Sequence, residues 1–352
     1  MAAGLLVDLF ERGWSDPTKI HTQSADSAIL INGAKENLAK SLKISTSEME
    51  IVSDLNLGFH LAISGLLNSN SILIHSAIDR KDIFAIARSH QNGGGRVQVL
   101  ESDISGKIDY SIIEQTAENV VVWQSTNRET GIKQFSNESI SKPNLSSAKI
   151  FADMTSASNP AELPENWSTA LWDATSWGGP KGIAILAIRE KTNWVNPLPH
   201  IDATRVSNEY SIPLFLASVV ALENSEKESE SNLVNAQRLN QKIRNFVTAN
   251  IADADIAGNL KNCDPRKLSI SFLYVQAEEL LRELEKSGYL VDSGSACSAA
   301  DLAPSHVLAA MGLLTHGNIR LTLRPEISEP VIDEFLALLK REITEARAKK
   351  SD

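Results

Sequence analysis

The 352-residue sequence predicts an α/β fold: a large domain built on a mainly parallel sheet, followed by a smaller α+β portion. Two patterns carry that expectation. Short, β-branched apolar runs alternate with stretches of helical period over the first two thirds, and such alternation builds a parallel sheet covered on both faces. After a long helical segment, a single strand-like run precedes a helix, a small-residue loop and a closing amphipathic helix.

In chain order, "AILINGAKENLAKSLKI" (28–44) has helix spacing. The runs "SILIHSAI" (71–78), "RVQVLES" (96–102), "NVVVWQS" (119–125), "AKIFADM" (148–154) and "GIAILAIR" (182–189) read as buried strands. Between the first two, "DRKDIFAIARSHQNGG" (79–94) reads as a helix closed by glycines. Residues 212–251 form a helical stretch expected to break near Asn224–Ser231. Then come "KLSISFLYV" (267–275) as a strand, "AEELLRELEKSG" (277–288) as a helix, and a final helix with lysines at its C-terminal end, which suits the helix dipole. In parallel sheets of this kind, sites gather beyond the strand carboxyl ends.

Composition narrows the classes. Hydrophobic residues make up 42% and charged residues 22%, an ordinary globular mix, and net charge is −10. An acidic chain is a poor partner for phosphate backbones or an anionic membrane, so neither nucleic acid nor membrane is expected. No uncharged run approaches a membrane span in length, and the start lacks a secretory signal. Cys263 and Cys297 make no disulfide framework or metal cluster, so a reducing, cytoplasmic setting is expected.

"VDSGSACSAADLAPSHVLAAMG" (291–312) with "IRLTLRPEIS" (319–328) resembles the cysteine-loop region of cysteine desulfurases, in the class V aminotransferase family. The resemblance continues in order along nearly the whole chain. "WSDPTKIH" (14–21), including His21, resembles an early Asn-Pro-Ser-Ser-x-His segment, and "STNRETGIKQ" (125–134) an Asn-Asn-Glu-Thr-Gly segment. "IFADM" (150–154) resembles the strand whose aspartate meets the cofactor ring, and "GGPKGIAIL" (178–186) the turn after the cofactor lysine. The family's N-terminal Leu-Asp-x-Ala-Ala-Thr-Thr segment has no counterpart. The resemblance implies the fold-type-I transferase architecture of pyridoxal phosphate (PLP) enzymes. It implies a large domain over residues 1–250, with the N-terminal segment reaching the small domain, and a small C-terminal domain over 251–352 carrying the cysteine loop. It also implies a homodimer.

PLP chemistry needs a lysine for the Schiff base, a phosphate cup, a counter-charge at the pyridine nitrogen and a ring cover. Laid on "DATSWGGPKG", the family pattern Ser-x-His-Lys-x-Gly-Gly-Pro-Lys-Gly puts Asp173 at the serine, Thr175 at the histidine and Ser176 at the lysine. A hydroxyl cannot form an imine, and Lys181 is the pattern's own second lysine. In the phosphate segment "IVSDLNLGFHLAI" (51–63), Asp54 falls at a glycine and Asn56 at a threonine. Two carboxylates beside a phosphate repel it by several kcal/mol each, roughly, at intermediate dielectric. Asn208 replaces the threonine of an Arg-x-Gly-Thr element, and Arg80 stands where a histidine covers the ring. Arg80 is expected to pair with Asp54 or Asp173, and Trp172 and Trp177 to fill space that the cofactor would take.

Other positions match. Asp153 aligns with the pyridine-nitrogen aspartate, although it could instead cap a turn. Asn127 lies in the segment that contacts cofactor or substrate. Arg320 aligns with the arginine that holds the substrate carboxylate, or it is a structural ion-pair partner. Cys297 aligns with the persulfide acceptor, while Cys263 reads as incidental in a polar turn. The expectation is a desulfurase-like chain that does not form the PLP Schiff base. Such a chain would act as a binding or scaffold subunit, as a relay for sulfur between an active desulfurase partner and an acceptor, or as a small-ligand sensor. The alternative is an active desulfurase moving sulfur from L-cysteine to an acceptor through Cys297.

Overall fold

The structure is a computed structural model that describes residues 2–12, 16–114, 116–134, 147–200, 205–206, 209–227, 229–294 and 304–351. It opens with helices α1 (Ala2–Arg12) and α2 (Thr22–Leu42), the latter ended by Lys43 in the left-handed region. Strand β1 (Met49–Val52), helix α3 (Leu55–Ser64), β2 (Ile72–Ser76), α4 (Lys81–Asn92), β3 (Arg96–Leu100), β4 (Asn119–Gln124), β5 (Lys149–Asp153), β6 (Trp167–Asp173) and β7 (Ala184–Ile188) follow. Two helices, α5 (Ile212–Lys227) and α6 (Ser229–Asn250), lead to β8 (Ala254–Ile256), β9 (Lys267–Phe272), α7 (Ala277–Lys286), α8 (His306–Ala310), β10 (Ile319–Thr322) and α9 (Glu329–Ser351).

Among the described residues the large sheet has the order β1-β7-β6-β5-β4-β2-β3. Strands β6, β5, β4, β2 and β3 run parallel; β7 pairs antiparallel with β6 and β1 antiparallel with β7, so β7 alone runs against the others. The central strands β4 and β7 are buried at every position, as their unbroken apolar character requires when helices cover both faces. A second sheet, β10-β9-β8, is antiparallel. Its core joins Leu239, Ile243 and Val247 of α6 to Ile270 and Phe272 of β9 and Leu336 and Leu339 of α9.

The five strands expected from apolar runs are all present, and the long helical stretch divides at 227–229, inside the expected window. Two strands of the large sheet escape such a reading. In β1 the pairing of Glu50 with Arg205 (3.1 Å) puts a charge inside the run. In β6, Ser168 and Thr169 interrupt it, and the Thr169 hydroxyl donates to the Ala62 carbonyl at 2.9 Å. Trp172 and Trp177 belong to the large-domain core, donating their indole N–H groups to the carbonyls of Pro160 and Ser218. They therefore take no cofactor space, contrary to expectation. Cys263 sits in an apolar cluster with Ile78, Ile132 and Met311, where burial pushes its thiol up; it is core filling, not part of a polar turn.

The segment after β4 packs closely against the start of β9 at Gly131. Its φ is 74°, and a Cβ there would come within 2.9 Å of the Lys267 Cβ and 3.3 Å of the Asp264 carbonyl oxygen. Left-handed backbone costs a residue with a Cβ about 1–2 kcal/mol, and the β9 backbone cannot retreat cheaply. Gly131→Ala is expected to lower unfolding free energy by about 2 kcal/mol or more, measured by urea denaturation; an unchanged midpoint would show that the contact yields.

Candidate active-site cleft

The carboxyl ends of β2, β4, β5 and β6 lie side by side, and each loop beyond them sends a polar side chain to the same edge. From β2 come Asp79 and Arg80; from β4, Asn127, Arg128 and Glu129; from β5, Thr155 and Ser156; from β6, Asp173, Thr175 and Ser176. The second sheet closes the other side with Lys267 at the start of β9 and Arg320 on β10. The cleft has two lobes, of about 420 and 260 Å³, that share Arg80, Arg128, Glu129, Asp292 and Arg320. This is the strand-end location expected of a parallel sheet.

The turn after β6 brings Ser176 and Asp173 into the smaller lobe. Asp173 accepts the Thr175 N–H at 3.0 Å and so caps the 3-10 turn 174–177. Gly178 then takes φ 82°, and a Cβ on Gly179 would lie 2.8 Å from the Ala174 carbonyl oxygen, so the glycine pair is required by the turn itself. Asp54 caps α3 in the same manner, accepting the Leu57 N–H at 2.8 Å.

Arg80 pairs with neither aspartate. Its Nε lies 3.3 Å from Asp82, its Nη1 donates to Thr155 Oγ1 at 3.4 Å, and its guanidinium stands 4.9 Å from the centroid of the Phe59 ring. The nearer carboxylate on its own helix, together with an aromatic face, satisfies it before Asp54 or Asp173 is reached. Asp153 does cap a turn, accepting the N–H and hydroxyl of Thr155 at 2.9 and 2.6 Å. Burial pushes its carboxyl up, and the neighbouring Arg80 partly opposes that rise.

Asn127 is buried and organises its own loop. Its amide donates to the Ile78 carbonyl and to Gln124, and its oxygen accepts from the N–H groups of Glu129 and Thr130. Arg320 donates to Asp292 at 2.9 Å and to the Ser293 carbonyl at 2.6 Å, with Glu129 at 3.9 Å; its Nε is buried without a partner. Arg205 is drawn to Glu50 and to the Ser47 carbonyl. Cys297 and Asn208 lie outside the described residues.

Three groups stand out that the alignment did not single out. Arg128, within the quoted "NRETG", makes no hydrogen bond or ion pair among the described residues. Partial burial, then repulsion from Arg80 and Arg320, weighs against its charge. Lys267, first residue of a strand read only for its apolar character, donates to the Ser156 carbonyl at 3.3 Å. Burial pulls its ammonium down to about 8. Asp79 is fully buried, accepting from the Ser76 N–H at 2.7 Å and Gln124 Nε2 at 3.1 Å. Burial, with Asp153 nearby, pushes it up to about 8.

Together the sheet order, the strand-end cleft and the small antiparallel sheet define the fold-type-I PLP transferase architecture. An archived "NifS-like protein" superposes with a TM-score of 0.86 at 20% identity, covering 98% of this chain and 95% of that one. The apo cysteine desulfurase of Thermococcus onnurineus superposes at 0.81, with 14% identity and coverage of 98% and 91%. No family model matches the chain. In sequence, a cysteine desulfurase of Nostoc sp. is 26% identical over 352 aligned positions, 95% of this chain and 87% of that protein. A cysteine desulfurase IscS of Dictyoglomus turgidum is 25% identical, over 95% and 89%. The chain is cysteine desulfurase-like. Among its described residues no helix is long and apolar enough to cross a membrane, and no group of three or more His, Cys, Asp or Glu could hold a metal.

Several positions that the resemblance assigns to PLP carry bonds of their own or lack the group the cofactor uses. At the start of α3 the Leu57 N–H serves Asp54, and at the turn after β6 the Thr175 N–H serves Asp173. Ser176 offers no amine, and Asp153 already holds Thr155.

Asp79 gives the cleft a pH signature. Its folded pKa lies above its unfolded value, so the native state holds a proton that the unfolded chain releases. Its contribution to stability is present at low pH and is lost as pH rises toward and through about 8. Urea unfolding at pH 5, 6.5 and 8 should show stability falling across this range, and Asp79→Asn should flatten the slope. Parallel slopes for the two proteins would place the proton elsewhere.

Proposed function

We propose that this chain is a desulfurase-like protein that does not form the PLP Schiff base and acts as a binding or sulfur-relay subunit. The observation that carries the reading is the pair of aspartate caps, Asp54 on Leu57 N–H and Asp173 on Thr175 N–H. A carboxylate holds one N–H at each of the two turns that the resemblance assigns to the phosphate, and the alcohol of Ser176 stands where the resemblance puts the lysine. A cofactor phosphate would have to displace both caps and then sit beside two negative charges.

In the relay, sulfur arrives on the thiol of Cys297 from a persulfide on a partner. The Cys297 thiolate attacks the outer sulfur of that persulfide, and the partner's thiolate leaves. The exchange is redox-neutral and needs no cofactor. Interface formation between two copies, and docking to a sulfur acceptor, belong to the same reading through the family resemblance.

The test begins with purification in the presence of PLP. No visible absorbance band and no sulfide release from L-cysteine are expected, whereas a yellow, active protein would overturn the reading. Ser176→Lys alone should not restore activity, because the caps remain. In a mixture with an active desulfurase and an acceptor, Cys297→Ser should abolish any stimulation of sulfur transfer; unchanged stimulation would remove the relay and leave the binding role.

A further inference from the structure

The smaller lobe contains an amine that this reading does not use. Lys267 extends from the start of β9 toward the ends of β5 and β6, so its Nζ lies at the Ser156 carbonyl in the cavity that Ser176 lines. Among the described residues it makes no ion pair. The nearby Asp264 is buried and taken by Arg266, which donates from Nε at 3.0 Å and from Nη2 at 2.8 Å. Asp153, the other neighbouring carboxyl, holds Thr155. Arg266 and Arg128 add positive charge near the amine. Across the same cavity stand Arg80, Arg128 and Arg320; among the described residues Arg128 makes no hydrogen bond or ion pair, though Asp173 and Asp292 attract it, and Arg320 Nε is unsatisfied. Asp173, Asp292 and Glu129 also line it, but Asp173 is engaged by Thr175 N–H, Asp292 by Arg320, and Glu129 by the Ser305 hydroxyl at 2.6 Å.

We propose that Lys267 is a carbonyl-reactive amine, and that the cavity it shares with Arg128 takes a small 2-oxo acid as an imine. An amine set in a buried position beside other cations loses its proton readily and becomes nucleophilic near neutral pH. Burial and the two flanking guanidiniums act on Lys267 in that direction. Guanidiniums supply the planar donors that a carboxylate requires. The volume of about 260 Å³ suits an acid of a few carbons. In the step itself the amine nitrogen adds to the keto carbon. The carbonyl oxygen then leaves as water with the two amine hydrogens, and a C=N bond replaces C=O with no oxidant or reductant. This chemistry is independent of sulfur on Cys297.

The experiment treats the full chain with pyruvate and cyanoborohydride at pH 8, then maps the reduced adduct by peptide mass spectrometry. The expected result is one dominant adduct, on Lys267, with a labelling rate that rises as pH passes through about 8. Lys267→Arg, which keeps the charge, should abolish it. Arg128→Gln should raise the half-saturating pyruvate concentration about tenfold, the effect of losing roughly 1.4 kcal/mol of carboxylate binding. Label spread over exposed lysines such as Lys181, with Lys267 unmodified, would overturn the proposal. A parallel arm uses PLP and borohydride. A PLP adduct on Lys267 would overturn the cofactor-free reading while supporting a reactive amine, and absence of both adducts would overturn the imine proposal alone.

Discussion

A turn N–H satisfies one strong acceptor at a time, and the proposed reading rests on two such groups. At the start of α3 and at the turn after β6 the acceptors are the protein's own carboxylates, Asp54 and Asp173. Each cap stabilises its local turn by about 1 kcal/mol, the usual worth of an aspartate N-cap. The same bonds place negative charge where helix-end dipoles would otherwise attract an anion.

The cleft carries several positive side chains. Arg80 rests on Phe59 and Thr155, Arg320 is tied to Asp292 and Ser293, and Arg128 and Lys267 remain without ion-pair partners among the described residues. Fully buried Asp79 and Asp153 sit behind them, kept toward the neutral form by desolvation. An anion entering this cleft would meet Arg80, Arg128, Lys267 and Arg320, with Asp173 at the turn after β6. That polarity favours small ligands bound between the sheets over a long one bridging both ends.

The architecture was legible in the sequence wherever burial is two-sided. "NVVVW" and "AILAI" cannot face water, so both declare themselves as central strands. Strands β1 and β6 were not legible, because Glu50 and Thr169 are satisfied by partners far along the chain, Arg205 and the Ala62 carbonyl. The missing amine at Ser176 and the turn chemistry of Gly178-Gly179 could be read directly from a short motif. The partner of Arg80 could not: three carboxylates lay within plausible reach, and only the path of α4 selects Asp82. Trp172 and Trp177 misled because sequence adjacency to a site does not reveal which face of the sheet a side chain takes. Lys267 and Arg128 were visible as letters, but their lack of partners is a property of the assembled cleft.

The most direct test of the central claim is equilibrium dialysis of PLP against the wild-type chain and an Asp54→Gly/Asp173→Ser double variant, which separates phosphate binding from imine formation. The account predicts no measurable retention by the wild type and clear retention by the variant, whose turn N–H groups are free for the phosphate. Equal, tight retention by both would show that the aspartate caps yield to the cofactor, and would contradict the claim.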